Sequence, residues 1–170
     1  YKDESEFIYE VYELDSQVIT LIKNNKFVSS IDDKGEVIFA KTCFYAEAGG
    51  QISDTGIIKG SDFEAKVIDV FKAPNGQNVH KIELTRGVIK VDDMVNLKVD
   101  KERRENIEAN HSTVHILQLA LQTIIDKEIY QVGSKVTDTY LRFDFNYHGK
   151  ISDEKIVEVE NFVNSYIKKD

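Results

Sequence analysis

The chain has 170 residues, 41% hydrophobic and 31% charged, the balance of a soluble globular protein with room for one domain or two small ones. Its net charge of −8 argues against a broad electrostatic grip on nucleic acid and leaves room for local basic patches, such as Lys101, Arg103 and Arg104. The single cysteine, Cys43, excludes an internal disulfide and a multi-cysteine zinc knuckle. No apolar run is long enough to cross a bilayer and no signal-peptide pattern opens the chain, so the expectation is a cytoplasmic protein with no membrane partner. The first residue is Tyr1 and not Met, which points to a piece of something longer.

Residues 4 to 14 place Phe7, Tyr9, Val11 and Tyr12 among acidic residues and read equally as a short helix or a strand. The β-branched run from Gln17 to Ile22 predicts a strand that stops at Lys23-Asn24-Asn25. Phe27 to Ile31 predicts a second strand, with Asp32-Asp33-Lys34-Gly35 as a hairpin turn into Glu36 to Phe39. Further strands are expected at Gly56 to Lys59, Phe63 to Phe71, Val79 to Leu84 and Met94 to Val99. Turn residues separate them at Gly60-Ser61-Asp62, Pro74-Asn75-Gly76, Arg86-Gly87 and Asp92-Asp93. Many short strands at regular spacing predict a closed or nearly closed antiparallel barrel over residues 1–100.

The texture changes at Asp100. Lys101 to Asp126 predicts one long helix on which Ile107, Val114, Leu121 and Ile125 centre an apolar stripe, with His111 and His115 on its edge. Ile116 and Leu119 fall outside the stripe, which predicts a helix covered on most of its circumference. Ile129 to Val136 is a short strand or loop in which Gly133 allows a backbone conformation that other residues avoid. Tyr140 to Tyr147 alternates, with Leu141, Phe143, Phe145 and Tyr147 on one face. Ser152 or Asp153 caps a last helix with an inward stripe of Ile156, Val159, Val163 and Tyr166, and with Lys168 and Lys169 at its C-terminal end. The fold class is thus α+β, a β-barrel module over 1–100 followed by an α/β module over 101–170 whose long helix packs on a sheet.

Two stretches carry chemistry. His111 and His115 are four residues apart on the helix, so their rings project from nearly the same side and can converge on one metal ion. That is half a site, and the same spacing also serves ordinary surface or core histidines. The second stretch is the loop Phe44 to Gly56, where Gly49 and Gly50 let the backbone approach a ligand or another segment beside polar Gln51 and Asp54. A tight barrel connection would use the same glycines.

Taken together and in order, FYAEAGGQISDTG, NHSTVHILQLAL, QVGSKV and LRFDF closely resemble the editing domain of alanyl-tRNA synthetase and of its freestanding relatives, the AlaX deacylases. The resemblance spans roughly Gln17 to Lys168. It implies a glycine-rich barrel module joined to a zinc-holding α/β module that hydrolyses Ser-tRNA(Ala) and Gly-tRNA(Ala). The parent enzyme would be an ATP-binding alanine-tRNA ligase of protein biosynthesis, with tRNA(Ala) and the rest of the synthetase chain as partners. Under the resemblance His111 and His115 are zinc ligands, Gln131 lies in the editing pocket, and Gly49, Gly50, Gln51 and Asp54 meet the substrate. Ser112 or Thr113 would recognise the serine hydroxyl, a group whose loss leaves buried polar atoms unpaired and so allows alanine to be rejected.

Two departures qualify it. The family usually carries threonine just before the second histidine, where this chain has Val114, while Ser112 keeps a hydroxyl nearby. The family also completes its zinc site with a CxxxH pair beyond the last helix, and this sequence stops at Asp170. The expectation is therefore two ligands of four, weak or absent zinc and little deacylase activity. Cys43 lies in the barrel and reads as a small buried residue instead of a ligand. Zinc would either orient the substrate amino group or polarise a water. A freestanding AlaX deacylase, the related editing domain of threonyl-tRNA synthetase and a non-catalytic binding module are the other readings; the GGQ loop favours the alanine system.

Overall fold

The computed structural model describes residues 5–168, which form two compact units. The first holds the described residues up to Ala48 together with Ile52–Arg104; the second holds Gly49–Gln51 and the chain from Glu105 onward. Three residues of the glycine-rich loop thus belong to the unit whose main sequence begins more than fifty residues later. Mixed α and β structure, with a closed barrel followed by helices on a sheet, is the observed class.

The first unit contains Glu6–Phe7 (β1), Glu13–Lys23 (β2), Lys26–Val28 (β3), Ser30–Ile31 (β4), Lys34–Phe39 (β5), Lys41–Thr42 (β6), Gly56–Lys59 (β7), Glu64–Lys72 (β8), Asn78–Arg86 (β9), Ile89–Lys90 (β10) and Met94–Val99 (β11). Six of these pair in the order β11-β7-β8-β9-β5-β2. The pairing of β2 with β11 then closes the ring, with β3 attached to β2. Alternation explains the closure, because one face of each strand must leave water. In β11, Val95, Leu97 and Val99 are buried while Met94 and Lys98 are exposed. Register shifts in β2 and β8 bend those strands around the ring. Phe39, Phe44, Leu21, Ile58, Ile82, Ile89 and Leu97 fill the core.

Several local expectations change in the first unit. The undecided stretch near the start holds the two-residue β1, paired in parallel with β6, and then the first residues of a longer β2. Asn24 and Asn25, both at positive φ, make the two-residue turn from β2 to β3. The Asp32 to Gly35 segment is not a hairpin turn: β4 pairs with β10, whereas β5 pairs with β2 and β9, so the chain turns a corner there. Gly35 is instead the second residue of β5, and glycine suits it because a Cβ there would lie 2.7 Å from the carbonyl oxygen of Ile22.

The second unit carries most of the helix Lys101–Ile124 (α1), the hairpin Gln131–Val136 (β12) with Leu141–Phe145 (β13), and the helix Asp153–Ile167 (α2). Ala120, Leu121, Ile129 and Val159 form its core, flanked by Leu117, Ile124, Ile125, Phe143, Phe145, Tyr147, Phe162 and Val163. Ser152 is the N-cap of α2 and accepts a hydrogen bond from Lys155 N. Three expectations are corrected. The long helix is not covered on most sides, since Leu119 is 45% exposed and Ser112 and His115 face solvent. The inward stripe of α2 is Val159, Phe162 and Val163, with Ile156 (44%) and Tyr166 (41%) outside it. Gly133 does not need positive φ; it sits at a bulge, where a Cβ would come within 3.0 Å of Asp144 Oδ2. Lys168 caps α2, and Lys169 lies outside the described residues.

Candidate metal and substrate site

The centre of the site is the α1 face bearing Ile107 and Val114, both buried. Their packing fixes the helix rotation and so leaves His111 half-buried and His115 exposed at the margin, as the stripe predicts. The two rings lie 5.7 Å apart between centroids with their planes tilted by 33°. Two imidazoles on one tetrahedral zinc have centroids about 5 Å apart, so the two rings stand at a spacing close to that of a shared ion. Among the described residues no third His, Cys, Asp or Glu joins them.

The glycine-rich loop supplies the next piece. Gly49 and Gly50 have φ of 59° and 84°, the left-handed region that favours glycine. A Cβ on Gly50 would stand 2.5 Å from both the carbonyl oxygen and Oγ of Ser134, so only glycine lets the loop lie against β12. Val136 N donates to Gly50 O at 2.7 Å, and Gln51 bridges Val136 in parallel, which pins the loop. Gln51, 7% exposed, then presents Oε1 to His111 Nδ1 at 2.7 Å.

The other predicted residues divide. Gln131 is exposed at the start of β12, and its Nε2 donates to Ser134 Oγ at 2.9 Å. Ser134 therefore serves both the Gly50 contact and Gln131; the QVGS run held it, but nothing in that run signals the role. Ser112 is exposed. The Thr113 hydroxyl donates to Ala109 O at 2.9 Å within its own helix, which engages its proton away from a ligand. Val114 is buried, so its methyl groups point into packing and not toward a substrate hydroxyl.

Asp54 stands in the first unit and is 1% exposed. Its Oδ2 accepts from Tyr45 N at 2.7 Å and from Arg104 Nε at 3.0 Å, and it also pairs with Arg104 Nη2. These contacts give Asp54 a framework role in place of the expected substrate contact. Arg104 further donates to Cys43 O, and Arg103 Nη1 donates to Ser53 O at 2.7 Å. The basic patch expected at Lys101, Arg103 and Arg104 is thus not a free patch: one arginine is buried against a carboxylate and the other is tied to a carbonyl. Cys43 is fully buried, and burial pushes its thiol up to about 11, which suits a packed residue and not a metal ligand.

Sequence reasoning missed His80. It is fully buried on β9, with Nδ1 donating to Val37 O at 3.1 Å and Nε2 accepting from Thr42 Oγ1 at 2.7 Å. Phe39 and Phe44 meet its ring edge-on, and burial lowers its pKa to about 4. The signal was its parity with Ile82, which places it on the inward side of the strand.

Residues 1–103 match the family described as tRNA synthetases class II (A). The chain belongs to that family. As a class II (A) tRNA synthetase chain it is 40% identical to the alanine-tRNA ligase of Listeria innocua over 97% of its own length and 19% of that protein's. It is 38% identical to the alanine-tRNA ligase of Lactococcus lactis subsp. cremoris, covering 96% of itself and 19% of the relative. With the same enzyme from Geobacillus thermodenitrificans it shares 39% identity over 99% of its length and 20% of the relative's. This synthetase chain spans about a fifth of the length of the curated relatives it matches. The family match lies over the barrel strands, and the similarity to the ligases continues through the histidine helix and the hairpin. No helix among the described residues is long and apolar enough to cross a membrane.

Proposed function

We propose that this chain is part of an alanine-tRNA ligase and carries a portion of its editing domain, which hydrolyses Ser-tRNA(Ala) and Gly-tRNA(Ala). The observation that carries the reading is the hydrogen bond between Gln51 and His111, which joins the glycine-rich loop to the HxxxH helix in one unit. Two motifs sixty residues apart in sequence meet in that bond, and a metal-assisted hydrolysis would draw on both. The parent enzyme would bind ATP, alanine and tRNA(Ala) elsewhere in its chain and work in the cytoplasm.

His111 and His115 would hold zinc, which when bound either polarises a water or orients the amino group of the misplaced residue. Two nitrogen donors alone hold zinc weakly, so tight binding would draw further ligands from the parent chain. Gln131, exposed on β12 and bonded to Ser134, would hydrogen-bond the substrate ester. Ser112 is exposed on α1 beside His111, and it is the better candidate for reading the serine side chain, since Thr113 is engaged within the helix.

Deacylation of Ser-tRNA(Ala) tests this reading in the full-length parent, with His111→Ala and His115→Ala beside the wild type. Loss of at least a hundredfold in hydrolysis, with alanine charging retained, is expected. Unchanged hydrolysis in the double variant overturns it. The chain of 170 residues assayed alone should show little hydrolysis and weak zinc binding.

A further inference from the structure

Gln51 was expected to meet the substrate, but its carboxamide oxygen is already engaged by His111 Nδ1 at 2.7 Å. A carboxamide oxygen carries no hydrogen, so this bond exists only when the proton sits on Nδ1. In a neutral imidazole the other nitrogen then holds the free lone pair. From this geometry we propose that Gln51 is a positioning residue: it fixes His111 in the Nδ1-protonated tautomer and leaves Nε2 as the nitrogen that faces a metal.

The surroundings make that role specific. Gln51 is nearly fully buried, so its oxygen has little water to bond instead. Its backbone is held by the bridge to Val136, and Val136 N bonds Gly50 O, so the residue as a whole cannot withdraw from His111 without breaking the loop's seat on β12. Gly50 allows that seat because Ser134 occupies the space a side chain would need. Metal-bound histidines generally donate their second N–H to such an acceptor, which orients the ring and strengthens the ligand. A neutral acceptor does this without adding negative charge beside the two imidazoles. His115 is exposed, and no buried acceptor among the described residues anchors its ring in this way. The two ligands are therefore unequal: one ring is set before a metal arrives and the other adjusts to it.

The metal-facing part of this inference rests on the editing reading, while the tautomer does not, and the experiment separates them. Long-range proton–nitrogen NMR on the chain labelled with nitrogen-15 histidine reads the tautomer of each of its four histidines without any metal. At pH 8 wild-type His111 should show a protonated Nδ1 and a bare Nε2. Gln51→Leu should shift it toward the Nε2-protonated form and weaken Co(II) or Zn(II) binding by about tenfold or more. Gln51→Glu, which keeps an acceptor oxygen, should restore both. The buried His80 signal, unchanged across the series, reports that the barrel is folded. A wild-type His111 protonated on Nε2, or a Gln51→Leu variant with unaltered tautomer, overturns the proposal. If the tautomer follows Gln51 while parent enzyme with His111→Ala still hydrolyses Ser-tRNA(Ala), the positioning role stands and the editing reading falls.

Discussion

The barrel unit and the helix-hairpin unit use the same kinds of polar residue in opposite ways. In the barrel, Asp54, Arg104, His80 and Thr42 are buried, and each is bonded to other groups of the same unit. In the second unit, Ser112, His115 and Gln131 stand at the surface, the first two on a helix whose other face packs. Residue type alone therefore says little about function. An aspartate enclosed by an arginine and a backbone amide holds a fold together, whereas a histidine at the rim of an apolar stripe stays accessible to a ligand.

The sharpest way to break this contrast is to disturb the buried ion pair. Asp54→Asn leaves the Arg104 guanidinium buried without its counter-charge, and the expected loss is about 3–5 kcal/mol in urea denaturation of the chain. A loss below about 1 kcal/mol would move Asp54 out of the framework.

His80 gives the next effect, and its direction follows from proton uptake. The folded chain takes up its proton at about pH 4 and the unfolded chain at about 6.5, so between those values the unfolded state binds more protons. Stability from the neutral ring is complete above about pH 6.5 and is lost as the pH falls toward 4, by about 3 kcal/mol. Denaturation midpoints from pH 7.5 to 4 should fall more steeply for the wild type than for His80→Gln, which starts lower but has no ring to protonate. Parallel curves for the two proteins would show that the ring is not enclosed.

The smallest effect sharpens the contrast within the glycine-rich loop. Gly50→Ala combines left-handed backbone with a methyl driven against Ser134, at a cost of about 2–3 kcal/mol, while Gly49→Ala meets open space and loses only about 1 kcal/mol. Hydrogen exchange at Val136 N–H, which bonds Gly50 O, should accelerate strongly in the first variant and little in the second. Equal exchange in both would mean that the loop does not depend on its seat at Ser134.

Strands with clean alternation between turn residues were readable from sequence, and Gly56–Lys59 and Met94–Val99 begin and end where the pattern does. The helix face was readable too, since Ile107, Val114 and Leu121 recur at the helical period and all are buried. What escaped were partnerships between distant residues. Arg104 looked like part of a basic run, although it precedes Ile107 by three positions and so shares the buried face of α1. Gly35 looked like a turn because the backbone of Ile22, which excludes a side chain there, is thirteen residues away. Of the site, the two histidines and the glycine-rich loop were legible as motifs, but the bond from Gln51 to His111 was not, because periodicity reports a face and not a partner across sixty residues.

The ring of strands has a consequence for how the chain is made. Its last staves, β2 and β11, are separated by some seventy residues, so a growing polypeptide emerging from the ribosome cannot seal the cylinder until Met94–Val99 has left the exit tunnel. Until then the nascent sheet presents two raw margins, and the interval before β11 arrives is when a chaperone would matter most to it.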